Sequence, residues 1–233
     1  MSAAPLSPDQ ARRVVAEALG TGLLIVAVIG SGIMAQRLSP TDVGLQLLEN
    51  AAATGAALVA LILVLGPVSG AHFNPAVTVV ARVHRTISTP DATLYVAAQV
   101  IGGCAGAVLA NLMFELPAID LSTQERSSGA LWLSEVVATT GLLLVIFGCI
   151  RSGRSSAVPY AVGLWIAGAY WFTSSTSFAN PAVTVARTLS DTFAGIAPSS
   201  VPMFIVMQLI GTAVALGLIA VLYPVTRNEG ADV

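Results

Sequence analysis

Charged side chains are scarce in this sequence of 233 residues. Only 9% of the residues are Asp, Glu, Lys or Arg, and all 10 basic residues are Arg. Soluble domains carry about 25% charged residues, so this chain cannot build an ordinary water-facing surface. With 55% hydrophobic residues and a net charge of −2, the composition excludes disordered and nucleic-acid-binding proteins. It indicates a protein whose main partner is membrane lipid.

Cysteine and histidine are nearly absent as well. Cys104 and Cys149 lie inside apolar stretches, where free cysteines are usually buried, and His72 and His84 are the only histidines. No group of nucleophile, base or metal-ligand residues stands out. The sequence therefore predicts no enzymatic activity, no metal site and no cofactor.

Apolar stretches dominate what remains. Six of them approach or exceed the roughly 20 residues that a helix needs to cross the hydrocarbon core. They are Val14–Ala35, Leu47–Val68, Thr93–Phe114, Leu131–Ile150, Ala157–Phe172 and Ser200–Tyr223. Two weakly apolar pieces, Asn74–Val83 and Asn180–Leu189, are only half as long, and each follows a loop rich in Gly, Ser or Thr.

The arginines predict the orientation in the membrane. An even number of spans places both termini on one side, and that side carries most of the arginines, namely Arg12, Arg13, Arg82, Arg85, Arg151, Arg154 and Arg227. The other side keeps Arg37, Arg126 and Arg187. Because cytoplasmic loops are enriched in basic residues, we expect a multi-pass plasma-membrane protein with both termini in the cytoplasm.

A motif series occurs twice along the chain. The order Glu-x-x-x-Thr, Asn-Pro-Ala and Gln-x-x-Gly begins at Glu17, Asn74 and Gln99, and again at Glu135, Asn180 and Gln208. Each copy holds an odd number of spans, so the second copy is inverted relative to the first. We predict one domain over residues 11–224, with repeats at about 11–114 and 129–224 and short polar tails at 1–10 and 225–233.

The doubled Asn-Pro-Ala predicts two half-helices that enter from opposite faces. Asn can cap free N–H groups and Pro suits the first helical position, so each half-helix begins at its motif and its N-terminus points to the midplane. Irregular backbone at that depth persists only in protein or beside water. The loops before Asn74 and Asn180 should therefore line a pore, with Asn74, Asn180, Ala76 and Ala182 at its centre. Two helix N-termini there disfavour cations.

These features resemble the major intrinsic proteins, the aquaporins and aquaglyceroporins. The resemblance covers residues 11–224 and implies an all-α fold of six transmembrane helices plus two re-entrant half-helices, assembled as a homotetramer with one pore per subunit. It implies that Glu17 and Glu135 brace the two loops and that His72 lies at the cytoplasmic pore mouth. For the glutamates a proton relay in an ion-coupled transporter is the competing interpretation, and for His72 either a locally satisfied neutral ring or a pH gate.

One position departs from the usual pattern of this family. Most members have Arg after the second Asn-Pro-Ala, whereas this chain has Val183, and Arg187 follows one helical turn later. Spacing from the two Asn residues predicts a constriction formed by Thr54, Gly168, Ser177 and Val183, with Phe178 replacing Ser177 if the register slips by one residue. This set contains no charge, aromatic ring or imidazole, so it predicts a wide neck.

The second motif also indicates a substrate class. Asn-Pro-Ala-Val, together with the Gly30–Met34 run in the first span, resembles bacterial members associated with arsenic resistance. The resemblance implies a passive channel for small uncharged solutes such as water, glycerol and neutral metalloids (arsenite and methylated arsenic). A water and glycerol facilitator without a metalloid role is the alternative.

Overall fold

The computed structural model describes residues 6–224, and within this range the chain is helical and contains no β-strand. Its helices are α1 (Pro8–Leu38), α2 (Val43–Ser69), α3 (Pro75–Val83), α4 (Thr89–Met113), α5 (Gly129–Arg151), α6 (Val158–Phe172), α7 (Pro181–Ala186) and α8 (Val201–Leu222). Six long helices and two half-helices confirm the predicted fold class. Arg227, together with the rest of the predicted tail 225–233, lies outside the described residues, and so do the first five residues of the predicted tail 1–10.

Side-chain caps explain where many of the helices begin. The capping residue accepts a hydrogen bond from a backbone N–H of the first turn, which satisfies a group that has no partner inside the helix. The capping residues are Ser7, Asp42, Asn74, Ser88, Ser128 and Asn180. The polar residues between the apolar stretches therefore fix the helix starts.

Helix α6 is shorter than the other crossing helices. Five helices have the length and hydropathy of membrane spans, whereas α6 has 15 residues, which is about 22 Å at 1.5 Å per residue. A 3₁₀ turn, Ser155–Ala157, precedes it. Helix α6 nevertheless coincides with the predicted stretch Ala157–Phe172, and it packs against α2 and α5.

The two halves of the chain pack alike. Helix α1 packs along α4, and α5 packs along α8 in the second half. A side chain at Gly102 would collide with the carbonyl of Ala18, and one at Gly211 would come within 2.7 Å of the carbonyl oxygen of Val136. Glycine at these crossings lets each helix pair approach at backbone distance. Each half-helix also contacts the opposite half, α3 against α8 and α7 against α4.

Apolar side chains cover much of the surface, whereas several polar side chains are buried in the interior. Large apolar side chains such as Val64, Leu164 and Val221 are mostly exposed. The side chains of Glu17 and Glu135, with the glutamines of the repeated motif, are completely buried. A protein whose outer surface faces hydrocarbon and whose polar groups serve an internal site has this distribution.

Candidate functional site

The N-termini of α3 and α7 meet head to head. The side-chain oxygen of Asn74 accepts a hydrogen bond from Ala76 N at 2.9 Å, and that of Asn180 accepts from Ala182 N at 3.0 Å. Each amide nitrogen donates to the loop of the other repeat, Asn74 to Ala179 O and Asn180 to Phe73 O, both at 2.8 Å. An amide nitrogen carries two hydrogens, so each Asn keeps one N–H beyond this bond.

The loops that precede the two half-helices share an unusual backbone conformation. Ala71 and Phe73 have φ of 48°, and Ser177 and Ala179, at the matching places in the second loop, have φ of 52° and 48°. Side chains other than Gly rarely adopt this left-handed region, and such strain persists only where surrounding contacts enforce it. Both loops are thus held in one shape that the local sequence does not prefer.

The carboxylate of Glu17 supplies the contacts that hold the first loop. It accepts hydrogen bonds from Ser69 Oγ at 2.6 Å, His72 N at 2.9 Å and Phe73 N at 2.8 Å. Gln99 Nε2 donates to the same carboxylate at 2.8 Å. With four donors, the carboxylate has no free partner position of the kind that a proton relay would use.

The carboxylate of Glu135 makes the corresponding contacts in the second loop. It accepts from Ser175 Oγ at 2.6 Å and from Phe178 N and Ala179 N, both at 2.9 Å. Gln208 Nε2 donates to it at 2.6 Å. The donors have the same types in the same order as those of Glu17, so the motif repeat is also a repeat of hydrogen bonds.

Both half-helices border one cavity of about 460 Å³. Asn74, Asn180, Thr54, Ser177 and Val183 line it, whereas Ala76 and Ala182 are fully buried behind the wall. The remaining wall is mostly apolar, with residues such as Leu24, Val28, Leu58, Val77 and Ile166. The cavity therefore combines a few polar groups with an extensive apolar surface.

Helix α6 meets the cavity with a different residue from the one predicted. Gly168 is not among the lining residues, and the face turned inward consists of Val158, Val162, Ile166 and Tyr170. These residues are spaced by four, and Gly168 lies about 200° around the helix from Tyr170. Tyr170 places its hydroxyl 3.3 Å from Thr54 Oγ1. An aromatic ring thus lines the wall where the sequence predicted a glycine.

The cavity wall also carries a charged group and a second aromatic ring, which the predicted constriction lacks. Arg187 and Phe178 both line it, and so does Ser177, so the two alternatives for the loop position coexist. Arg187 is only 2% exposed, its Nε donates to Ala194 O, and its guanidinium carbon lies 3.4 Å from the centre of the Phe178 ring. It reaches the wall because residues three and seven positions after Asn180 share one helix face.

A second arginine lies behind this wall. Arg126, in the segment between α4 and α5, donates from Nε to Gly195 O at 2.9 Å, and its guanidinium carbon lies 5.2 Å from the Phe178 ring centre. Burial lowers its pKa below the usual arginine range. Arg126 has no acidic partner within salt-bridge distance in residues 6–224.

The opposite end of the cavity carries groups that the sequence did not single out. His84, Thr86 and Arg151 line it there, just beyond the C-terminus of α3. Burial, followed by the charge of Arg151, lowers the pKa of His84. The spacing along the sequence points to His84, because it lies directly after the half-helix that Asn74 begins. His72 lies deeper, with its Nδ1 3.0 Å from Thr78 Oγ1.

Comparisons with known proteins agree with this geometry. The family model "Major intrinsic protein" matches residues 6–175. The chain belongs to the major intrinsic protein family. It is 54% identical over 210 residues to the aquaglyceroporin AqpS of Rhizobium meliloti (strain 1021), an alignment that covers 90% of this chain and 89% of that protein. It is 34% identical over 152 residues to human aquaporin-5, covering 63% of this chain and 56% of that protein.

A solved structure shows the same fold. The aquaglyceroporin from Plasmodium falciparum superimposes with a TM-score of 0.70 at 21% identity, covering 93% of this chain and 96% of that one. The family membership makes this chain a multi-pass membrane channel rather than an enzyme.

Proposed function

We propose that the protein is a passive channel for small uncharged solutes, including water, glycerol and the neutral metalloids arsenite and methylated arsenic. The observation that carries this proposal is the single cavity bordered by both Asn74 and Asn180. Each amide has an N–H left for a passing solute, and the apolar wall opposite suits the carbon backbone of a polyol. The similarity to an aquaglyceroporin supports glycerol as one of these solutes.

Metalloid permeation follows from the same chemistry. Arsenite at neutral pH is an uncharged trihydroxy molecule, so it presents hydroxyl groups much as glycerol does. The Asn-Pro-Ala-Val motif supports this solute, because it matches the bacterial members described above. The water and glycerol facilitator without metalloid transport is the competing outcome.

We propose that the narrowest part lies where Thr54, Ser177 and Val183 face Tyr170 and Arg187. All five residues line the cavity, and the Thr54–Tyr170 contact bridges α2 and α6. This neck differs from the wide one that the sequence predicted, because Tyr170 and Arg187 are large. It leaves Glu17 and Glu135 outside the pathway as structural supports.

The assembly and the orientation are part of the proposal. A homotetramer in the plasma membrane, with both termini in the cytoplasm, fits the apolar outer surface and the arginine count, and it places Arg187 toward the outside. Native mass spectrometry in detergent should give a tetramer. Labelling of a cysteine added near the N-terminus should require permeabilised cells.

Proteoliposomes test the transport proposal directly. Vesicles with the protein should shrink faster under a water gradient, recover faster in glycerol and take up arsenite faster than protein-free vesicles. Collapsing the proton gradient should not change these rates. Glycerol flux without arsenite flux would favour the facilitator alternative, and rates equal to those of protein-free vesicles for all three solutes would contradict the channel proposal.

A further inference from the structure

We infer that Arg187, held on the ring of Phe178 with Arg126 near the same ring, supplies the fixed positive charge that keeps cations out of the channel in place of the arginine that Val183 replaces. This inference rests on the proposed passive-channel function. It assigns selectivity to a group of three side chains, and we call this group the Arg126–Phe178–Arg187 stack.

The charge of Arg187 has no acidic partner in the described part of the chain. In the described part of the chain, salt bridges are formed only by Arg12 and Arg13 with Asp9, so Arg187 has no carboxylate partner. Removing a charge from water without a partner is costly, and such groups are usually neutralised or paired. In a channel that conducts water, the cavity side of the Arg187 guanidinium would be solvated, which lowers this cost.

The terminal amino groups of Arg187 point toward the cavity. The Nε of Arg187 donates to Ala194 O, and this bond holds the near side of the guanidinium. The terminal amino groups make no hydrogen bond with residues 6–224, although the side chain is 2% exposed and lines the cavity. These donors therefore face the cavity, where a passing solute or water can accept from them.

The ring of Phe178, on which Arg187 lies, is held in one position. Phe178 is buried, its backbone N–H is held by Glu135, and its ring packs edge-on against Phe204 at 5.2 Å. The guanidinium of Arg187 lies over this fixed ring at 3.4 Å, within the range of a cation–π contact. Arg187 thus has one preferred position, whereas a free arginine side chain would sample many.

Arg126 lies near the same ring but away from the cavity. It does not line the cavity, but its guanidinium lies 5.2 Å from the same ring and is anchored on Gly195 O. The backbone N–H of Arg126 donates to Ser200 Oγ at 2.9 Å, which ties this segment to the start of α8. Arg126 is therefore a positioning residue, and the charge that a solute meets is that of Arg187.

The test measures cation leak and water flux in the same proteoliposomes. Replacing Arg187 by Gln should raise the sodium and proton leak by about tenfold to a hundredfold, the effect of removing a unit charge that lies about 6 to 12 Å from the ion at an effective dielectric constant of about 20. Water flux should change much less. Arg187→Lys, which keeps the charge, should stay tight, and Arg82→Gln, at the matched exposed arginine in the last turn of α3, should behave as the wild type.

Each result decides the question. An R187Q channel with normal water flux and no added leak would overturn the inference and leave the proposed function standing, and so would an R187K channel as leaky as R187Q. If R187Q does not insert, Phe178→Leu should give an intermediate leak, and a tight F178L channel would overturn the inference. A wild-type protein without any solute flux would instead contradict the proposed function.

Discussion

The two half-helices carry almost the same sequence but end differently. The first reads Asn-Pro-Ala-Val-Thr-Val-Val-Ala-Arg from Asn74, and the second lacks one Val before its Ala-Arg. Arg82 is consequently exposed and donates to Thr89 Oγ1 at 2.7 Å, whereas Arg187 is buried on the cavity wall. One residue turns a side chain by about 100° around a helix. A one-residue deletion thus moves an arginine from the surface to the cavity.

The first repeat has a position that corresponds to Arg187 of the second repeat. Val77 and Ala81, three and seven residues after Asn74, line the cavity as Val183 and Arg187 do after Asn180. Ala81 is therefore the counterpart of Arg187. The two ends of the cavity share one backbone plan, and they differ in the side chain at this position.

We expect the largest effect, a loss of stability, when either of the two glutamates that hold the loops is replaced. Glu17→Gln and Glu135→Gln each place an amide NH₂ among backbone and side-chain donors, and the unsatisfied groups should cost about 3 kcal/mol each. We expect both variants to lose thermal stability in detergent to a similar extent, with Glu115→Gln at an exposed site as the control. A loss in one variant only would show that the loops are not held in equivalent ways.

An arginine at position 81 should give both ends of the cavity a guanidinium group. Ala81→Arg puts a large charged side chain on the wall opposite Arg187, and the added volume should lower glycerol flux several-fold in proteoliposomes. Val83→Arg, on the exposed side of the same helix, is the control. Unchanged glycerol flux in A81R would contradict the shared cavity face.

A smaller effect is expected at Val183. Val183→Arg should narrow the neck next to Arg187 and reduce glycerol flux more than water flux, because glycerol is the wider solute. Swelling assays with both solutes give the ratio. Equal losses in correctly inserted protein would mean that Val183 does not face the narrowest part.

We expect the smallest effect for the pH dependence of water flux, which His84 would influence at the other end of the cavity. The pKa of His84 lies below its usual value, so the ring is neutral above that pKa and gains a proton only as the pH falls through it. We expect water flux to be flat between about pH 7 and 8, where the ring is neutral. His84→Gln should reproduce this plateau, and a rise or fall in the wild type alone would contradict a neutral His84.

Much of the fold could be predicted from the sequence because membrane spans leave strong signals. Six apolar stretches, two Asn-Pro starts and the repeated Glu and Gln positions determine the helices and their order. The helix ends were less predictable, since α1 extends from Pro8 to Leu38, well beyond its apolar stretch Val14–Ala35. Polar residues extend a helix past the hydrocarbon core without changing its apolar pattern.

The cavity wall was harder to predict, for a geometric reason. Counting residues back from Asn180 predicts that Gly168 faces the constriction. The loop between them determines which face of α6 turns inward, and that face carries Tyr170. Arg187 lies one turn after Val183, and the predicted constriction does not include it. The spacing of three and seven residues from Asn180 would have placed it on the cavity face, as Ala81 is placed from Asn74.

Cysteine accessibility tests the central claim, that a one-residue deletion turns Arg187 into the cavity while Arg82 stays outside it. In a background without Cys104 and Cys149, the variants A81C, R82C and R187C would be treated with a small water-soluble thiol reagent, and water flux measured before and after. We predict loss of flux in A81C and R187C and unchanged flux in R82C. Block of R82C, or none of R187C, would contradict the account.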